Sequence, residues 1–113
     1  MASVPLSHAK AELFRALGHP ARVQILELLH DGPKTVRQLV EALDVEPANL
    51  SQHLAILRRA AVVASAREDG SVIYALTTSD VSRLLAAGRG ILEAVWGEQE
   101  GLLAELRATA ITA

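Results

Sequence analysis

The tightest constraint on this chain lies between residues 34 and 59, KTVRQLVEALDVEPANLSQHLAILRR. Val36, Leu39 and Leu43 share one side of a first helix. Leu50, Leu54 and Leu57 recur at i, i+4 and i+7 along a second. Asp44-Val45-Glu46-Pro47 interrupts both patterns and reads as a turn. Pro47 presets φ at the start of the second helix without removing a hydrogen bond that helix would use. At about 100° per residue, Ala48, Ser51, Gln52, Ala55 and Arg59 fall opposite the leucines. That face is short and polar, and it stays almost free of bulk until Arg58 and Arg59 close the helix.

A face of this kind presses into a groove without clashing. The major groove of B-form DNA admits a helix whose side chains reach base edges. An ordinary solvated amphipathic helix has much the same pattern, so context has to separate the two. A winged helix-turn-helix needs a preceding helix, a short turn and a following hairpin. The hairpin is legible in VVASAREDGSVIYALT, residues 62–77. Val63 to Arg67 and Val72 to Leu76 have strand composition, and Asp69-Gly70 between them supplies the turn. The tip of such a wing carries Arg67, which suits phosphate or the minor groove. It also carries Glu68 and Asp69, which repel phosphate, so the tip is expected to graze the backbone.

The flanks read as helices. Ser3 or Ser7 is positioned to cap a first helix over about His8 to Leu17, with Leu6, Leu13, Phe14 and Leu17 as its apolar stripe. Gly18 is expected to end it with a positive φ. Pro20 opens a second helix in which Val23, Ile25, Leu26, Leu28 and Leu29 predict the most buried element. Asp31-Gly32-Pro33 stops it, and Thr35 caps the third helix. Ser79 is expected to cap a fifth helix from Asp80 to Trp96. Gly97 would break it before a last segment in which Leu102, Leu103 and Leu106 recur at helical spacing. Leu84, Leu85, Ile91, Leu92, Val95 and Trp96 supply more apolar surface than the end of a small domain requires. Gly88 and Gly90 weaken a helix unless something packs closely against them. A partner helix answers both facts better than a fold-back onto the chain's own core.

The predicted architecture is mainly α within an α+β class: a winged helix-turn-helix of five to six helices with a two-stranded hairpin. Its 113 residues suit one domain, with a recognition unit at 34–60, a wing at 62–78 and dimerisation helices at 79–109. No apolar run approaches a membrane span, and the N-terminus lacks a charged-then-apolar signal, so a cytoplasmic location is expected. The chain has no cysteine, which excludes disulfides and thiolate metal sites within it. The net charge of −2 counts mildly against nucleic acid. Its distribution counts the other way. Lys34, Arg37, Arg58, Arg59 and Arg67 surround the recognition unit, whereas Glu93, Glu98, Glu100 and Glu105 gather in the tail. Phosphate attraction follows the local field. Nothing in the chain pairs a nucleophile with a base: Ser51 and His53, two apart on a helix, point away from each other. No enzyme is predicted.

The segments ALGHPARVQILELL (16–29), NLSQHLAILRRA (49–60) and REDGSVIYAL (67–76), in this order, resemble the ArsR/SmtB family of bacterial repressors over residues 9 to 96. The resemblance implies a homodimer paired through its first and last helices, which brings Leu13 and Phe14 into the interface beside Leu84, Leu85, Ile91, Leu92, Val95 and Trp96. It implies a two-fold symmetric operator in double-stranded DNA and release by an inducer. The family's base-reading positions fall on Ala48, Asn49, Ser51 and Gln52. Thr35, Gln38, Arg58, Arg59 and Arg67 are the phosphate candidates, and Gln52 is suited to a bidentate pair with adenine. Metal-sensing members use cysteines where this chain reads TVRQL (35–39), or ligands on the terminal helix where it has Asp80, Ser82, Glu93 and Trp96. That set is too poor for zinc or nickel, so no metal or other cofactor is expected. Of the four histidines, His19 reads as structural at a helix start and His53 as packed about 60° off the leucine face, while His8 and His30 have no neighbouring ligands in sequence. The competing reading is a winged-helix module that docks another protein on its small-residue face and binds DNA only non-specifically.

Overall fold

A computed structural model describes residues 4–112, with side chains described to 105 and at 107 and 108. Along the chain run α1 (Leu6–Leu17), α2 (Pro20–His30), β1 (Lys34–Thr35), α3 (Val36–Leu43), α4 (Pro47–Arg59), β2 (Val63–Glu68), β3 (Ser71–Leu76) and α5 (Asp80–Thr112). The chain divides into two units, residues 1–82 and 83–113.

In the first unit the core is made where α2, α3 and α4 converge. Ile25 and Leu26 of α2, Leu39 of α3, and Leu50, Leu54 and Leu57 of α4 are its fully buried side chains. Ala16, Leu17, Leu29, Val62, Val63, Tyr74 and Val81 complete it. Each buried leucine or isoleucine contributes about 1.5–3 kcal/mol by leaving water. The helix-turn-helix therefore rests on apolar packing, and no charged or polar residue is buried with it among the described residues.

Local chemistry sets the element ends. Thr35 and Gln38 form a capping box at α3: the Gln38 amide donates to Thr35 Oγ1 at 3.1 Å, and the Thr35 amide donates to Gln38 Oε1 at 2.8 Å. Asp44 ends α3 in the left-handed region at φ 51°, which opens the turn toward Pro47. At the end of α4, Ala61 N–H reaches Arg58 O and Val62 N–H reaches Leu57 O, while Ala61 itself holds φ 62°. This is a Schellman closure with alanine where glycine is usual. The strand turn is Asp69-Gly70, with both residues at positive φ, joining the facing pair Glu68 and Ser71.

Several expectations need correction. The sheet has three strands, in the order β1-β3-β2, where a two-stranded hairpin was expected. Lys34 and Thr35 pair antiparallel with Tyr74 and Ile73. A two-residue strand has no period of its own, and it forms only because β3 offers a free edge. Among the described residues the helices number five, within the five to six expected, but α5 continues through Gly97 and absorbs the segment expected to follow a break. A lone glycine lowers helix stability by about 1 kcal/mol, too little to end a helix flanked by good helix formers. α1 starts at Leu6 behind Pro5 with no side-chain cap; Ser7 lies inside the helix, and Ser3 lies outside the described residues. Gly18 takes φ −81°, so its use is steric: a Cβ there would sit 3.2 Å from the Phe14 carbonyl oxygen. The hydroxyl that meets the start of α5 is Thr78's, which accepts from the Asp80 amide at 3.2 Å, rather than Ser79's.

In the second unit, α5 from residue 89 to 105 is solvent-exposed throughout, including Ile91, Leu92, Val95, Trp96, Leu102 and Leu103. Leu84 and Leu85 are half-buried. An added Cβ at Gly88, Gly90, Gly97 or Gly101 would meet nothing within 4 Å, so the chain itself supplies no close packing there. Among the described residues no helix is long and apolar enough to cross a membrane.

The left-handed conformation costs a residue with a Cβ about 1–2 kcal/mol that glycine escapes. Ala61→Gly should therefore raise the unfolding free energy by about 1 kcal/mol after glycine's own entropy cost, measured by urea denaturation followed by circular dichroism.

Candidate nucleic-acid interface

Burying Leu50, Leu54 and Leu57 leaves one side of α4 to face outward. Ala48, Asn49, Ser51 and Gln52 on its first turns are exposed, as are Arg58 and Arg59 on its last. Ala55, expected on the same open face, is half-buried. The exposed set offers short donors and acceptors at the front of the helix and two guanidinium groups at its end. Arg67 lies exposed next to the wing tip, paired across the strands with Val72. β1 ties the start of α3 to β3, so the wing and the helix-turn-helix share one hydrogen-bonded frame.

Thr35 and Gln38 meet in the capping box, whose bonds occupy Thr35 Oγ1 and Gln38 Oε1 as acceptors. The Thr35 hydroxyl hydrogen and the Gln38 side-chain amide nitrogen remain as donors, the polarity a phosphate requires. Arg37, also on α3, is held 3.5 Å from Glu41 in an exposed pair, which is worth little in water.

A cluster behind the recognition face escaped the sequence reading. Arg22 of α2 donates through Nε to Ala16 O at 2.6 Å and through Nη2 to Arg15 O at 3.4 Å, both carbonyls of the last turn of α1. Its Nη1 lies 3.3 Å from His53 Nδ1 on α4. The His53 ring packs on that of His19, centroids 4.5 Å apart and planes tilted by 44°. His19 caps α2, its Nδ1 accepting from the Ala21 amide at 3.1 Å. His19 is thus structural and His53 packed, as expected, but their mutual contact spans 34 positions and leaves no local signal. His30, which has no ligand beside it in sequence, lies 2.9 Å from Ser82 Oγ.

Of the positions where metal-sensing repressors place terminal-helix ligands, Ser82 is engaged by His30 and Glu93 pairs with Arg89 at 3.0 Å. Among the described residues no three His, Asp or Glu side chains gather closely enough to hold a metal ion.

A helix-turn-helix braced by a hairpin, with a small polar face turned outward on its second helix, defines a winged helix-turn-helix protein. The chain belongs to the arsR family of bacterial regulatory proteins, whose family model matches residues 19–65. It is 43% identical over 109 residues to the uncharacterized HTH-type transcriptional regulator Rv0081 of Mycobacterium tuberculosis H37Rv, covering 96% of each chain. The crystal structure of that protein superposes with a TM-score of 0.78, covering 86% of this chain and 98% of that one. The HTH-type transcriptional repressor SmtB of the same organism is 38% identical over 77 residues, covering 68% of this chain and 57% of its own length. A solution structure of a homodimeric winged helix-turn-helix DNA-binding domain, Mb0332 from Mycobacterium bovis, is 28% identical with a TM-score of 0.73, covering 84% of this chain and 94% of that one. The chain is accordingly an arsR-family transcriptional regulator.

Burial first, then the neighbouring His19 and Arg22, hold His53 below the ordinary histidine value of 6.5. Its charged form is thus disfavoured in the folded state relative to the unfolded one. The stability it supports is complete above the unfolded value and drains as pH falls from there through the lower folded value. The melting temperature should fall between about pH 7 and pH 5, and fall less in His53→Gln, as scanning calorimetry at constant ionic strength will measure.

Proposed function

We propose that this regulator binds an inverted-repeat operator in double-stranded DNA as a homodimer and represses transcription in the cytoplasm until an inducer releases it. The observation that carries the reading is the outward face of α4, kept short and polar by the leucines buried behind it. In this reading Ala48, Asn49, Ser51 and Gln52 meet base edges, with Gln52 the principal reader, because its amide both donates and accepts in the pattern adenine presents. Thr35, Gln38, Arg58, Arg59 and Arg67 hold phosphates and set the register. The local excess of positive charge around α4 and the wing draws the duplex in, and the net charge of −2 has little influence at such short range.

Dimerisation is supported by the apolar surface that α5 leaves in water. Phe14, Ile91, Leu92, Val95 and Trp96 are between 42% and 63% exposed, a burden that a monomer has no reason to carry. Leu13, Leu84 and Leu85 extend the same proposed interface as half-buried residues. The homodimeric relative supports a dimer. Two copies of α4 related by a two-fold axis would enter successive major grooves about 34 Å apart.

Footprinting on genomic fragments tests the reading. A protected inverted repeat supports it; binding that ignores sequence favours a protein-docking module instead. Gln52→Ala should cost about 1–3 kcal/mol of preference for the protected site, while Arg59→Ala should weaken binding to every duplex and flatten its salt dependence. Trp96→Glu should shift the chain toward monomer in analytical ultracentrifugation and weaken operator binding with it.

A further inference from the structure

The proposed DNA reading uses the open face of α4 and leaves the cluster behind it without a role. Arg22 is anchored twice to the carbonyl end of α1, where a cation is also favoured by the helix dipole. From that anchor it reaches His53, the residue after Gln52, and His19 presses on His53 from the start of α2. The leucines decide which side of α4 faces inward. The contacts at His53, off that apolar stripe, join α4 to Arg22 and His19.

The hydrogen bonds dictate the protonation state. A guanidinium only donates, so His53 Nδ1 accepts and carries no proton. A backbone amide only donates, so His19 Nδ1 accepts from Ala21. A proton added to His53 Nδ1 replaces an acceptor by a donor facing a donor. It also places a cation against Arg22 and His19. Burial, and then the neighbouring His19 and Arg22, disfavour a charge on His53. On α1 nearby, Glu12 is paired with Arg15, and the hollow they share with Arg22 also carries Arg59 of α4.

We propose that Arg22, His19 and His53 are positioning residues for the recognition helix, and that they hold it in register only while the His53 imidazole is uncharged. Mild acid then uncouples α4 from α1 and α2 and erases the preference for the operator. This rests on the reading of α4 as the base-reading helix. Added positive charge strengthens non-specific attraction to DNA, so the expected signature is a loss of discrimination rather than of total binding.

The test uses the full chain and a duplex selected by it from a random-sequence library at about pH 8, with a scrambled duplex of equal length as reference. Fluorescence anisotropy at constant ionic strength gives the ratio of the two affinities. In the wild type this ratio should fall about tenfold or more between pH 8 and pH 5, the span in which histidine takes up its proton. The double variant His19→Asn, His53→Gln keeps both acceptors, since asparagine caps a helix well and the glutamine oxygen still meets Arg22. Its ratio should change by no more than about twofold over the same span. Arg22→Met should lower the ratio at both ends of the range and abolish its pH dependence. A nuclear magnetic resonance titration adds a readout that needs no variant: the Gln52 and Ala21 amide signals should move with the His53 ring. A wild-type ratio that is flat with pH, a double variant that falls as steeply as the wild type, or Gln52 and Ala21 signals that ignore the titration would each overturn the proposal while leaving the DNA reading intact. If no duplex is selected at pH 8, the DNA reading fails and the proposal fails with it.

Discussion

Everything on the working face of this protein depends on the burial of Leu50, Leu54 and Leu57 in one stripe. A helix of 13 residues has little stability alone in water. With these three leucines buried in the core that Ile25, Leu26 and Leu39 also fill, α4 is held in place, and the residues opposite the stripe are turned outward by that burial. Ser51 and Gln52 therefore remain free to make hydrogen bonds elsewhere. This division of labour, apolar energy on one side and unspent polar groups on the other, is what a reading helix requires.

The surrounding elements serve that helix in different ways. The capping box at α3 closes the turn side, and the Schellman closure at Ala61 delivers the chain from α4 into β2. The antiparallel pairing of β1 with β3 ties the wing back to the start of α3, so a hairpin that would be marginal alone gains a third strand and a core. α5 is built on another principle. Its exposed leucines, isoleucine, valine and tryptophan lie along a helix that carries four glycines with empty space around each. The chain itself covers none of this surface, which is the surface the proposed dimer would bury.

Much of this was legible because it is local. The leucine spacing, Pro47, the Asp69-Gly70 turn and the Thr35 cap each act within a few residues, and the helices and wing followed from them. The errors fell where a local signal is weak or carries two meanings. Gly97 reads as a breaker, yet sits in an unbroken helix, because one glycine costs less than a good run of neighbours returns. Gly18 reads as a left-handed cap, yet serves the approach of a carbonyl. β1 has no pattern at all.

The amino-acid sequence by itself determined most of the helix-turn-helix: which leucines of α4 face inward, that Ala48, Ser51, Gln52 and Arg59 face outward, and that a wing follows; Ala55, expected outward, is half-buried. Periodicity and turn chemistry act along the chain, and they suffice for that. Only the tertiary structure decided that Arg22 would join the end of α1 to His53, that His19 and His53 would lie ring to ring, and that Lys34 and Thr35 would extend the sheet. These contacts join residues between 6 and 40 positions apart, and they exist because the packing of the leucine core brings the ends of separate helices and strands together.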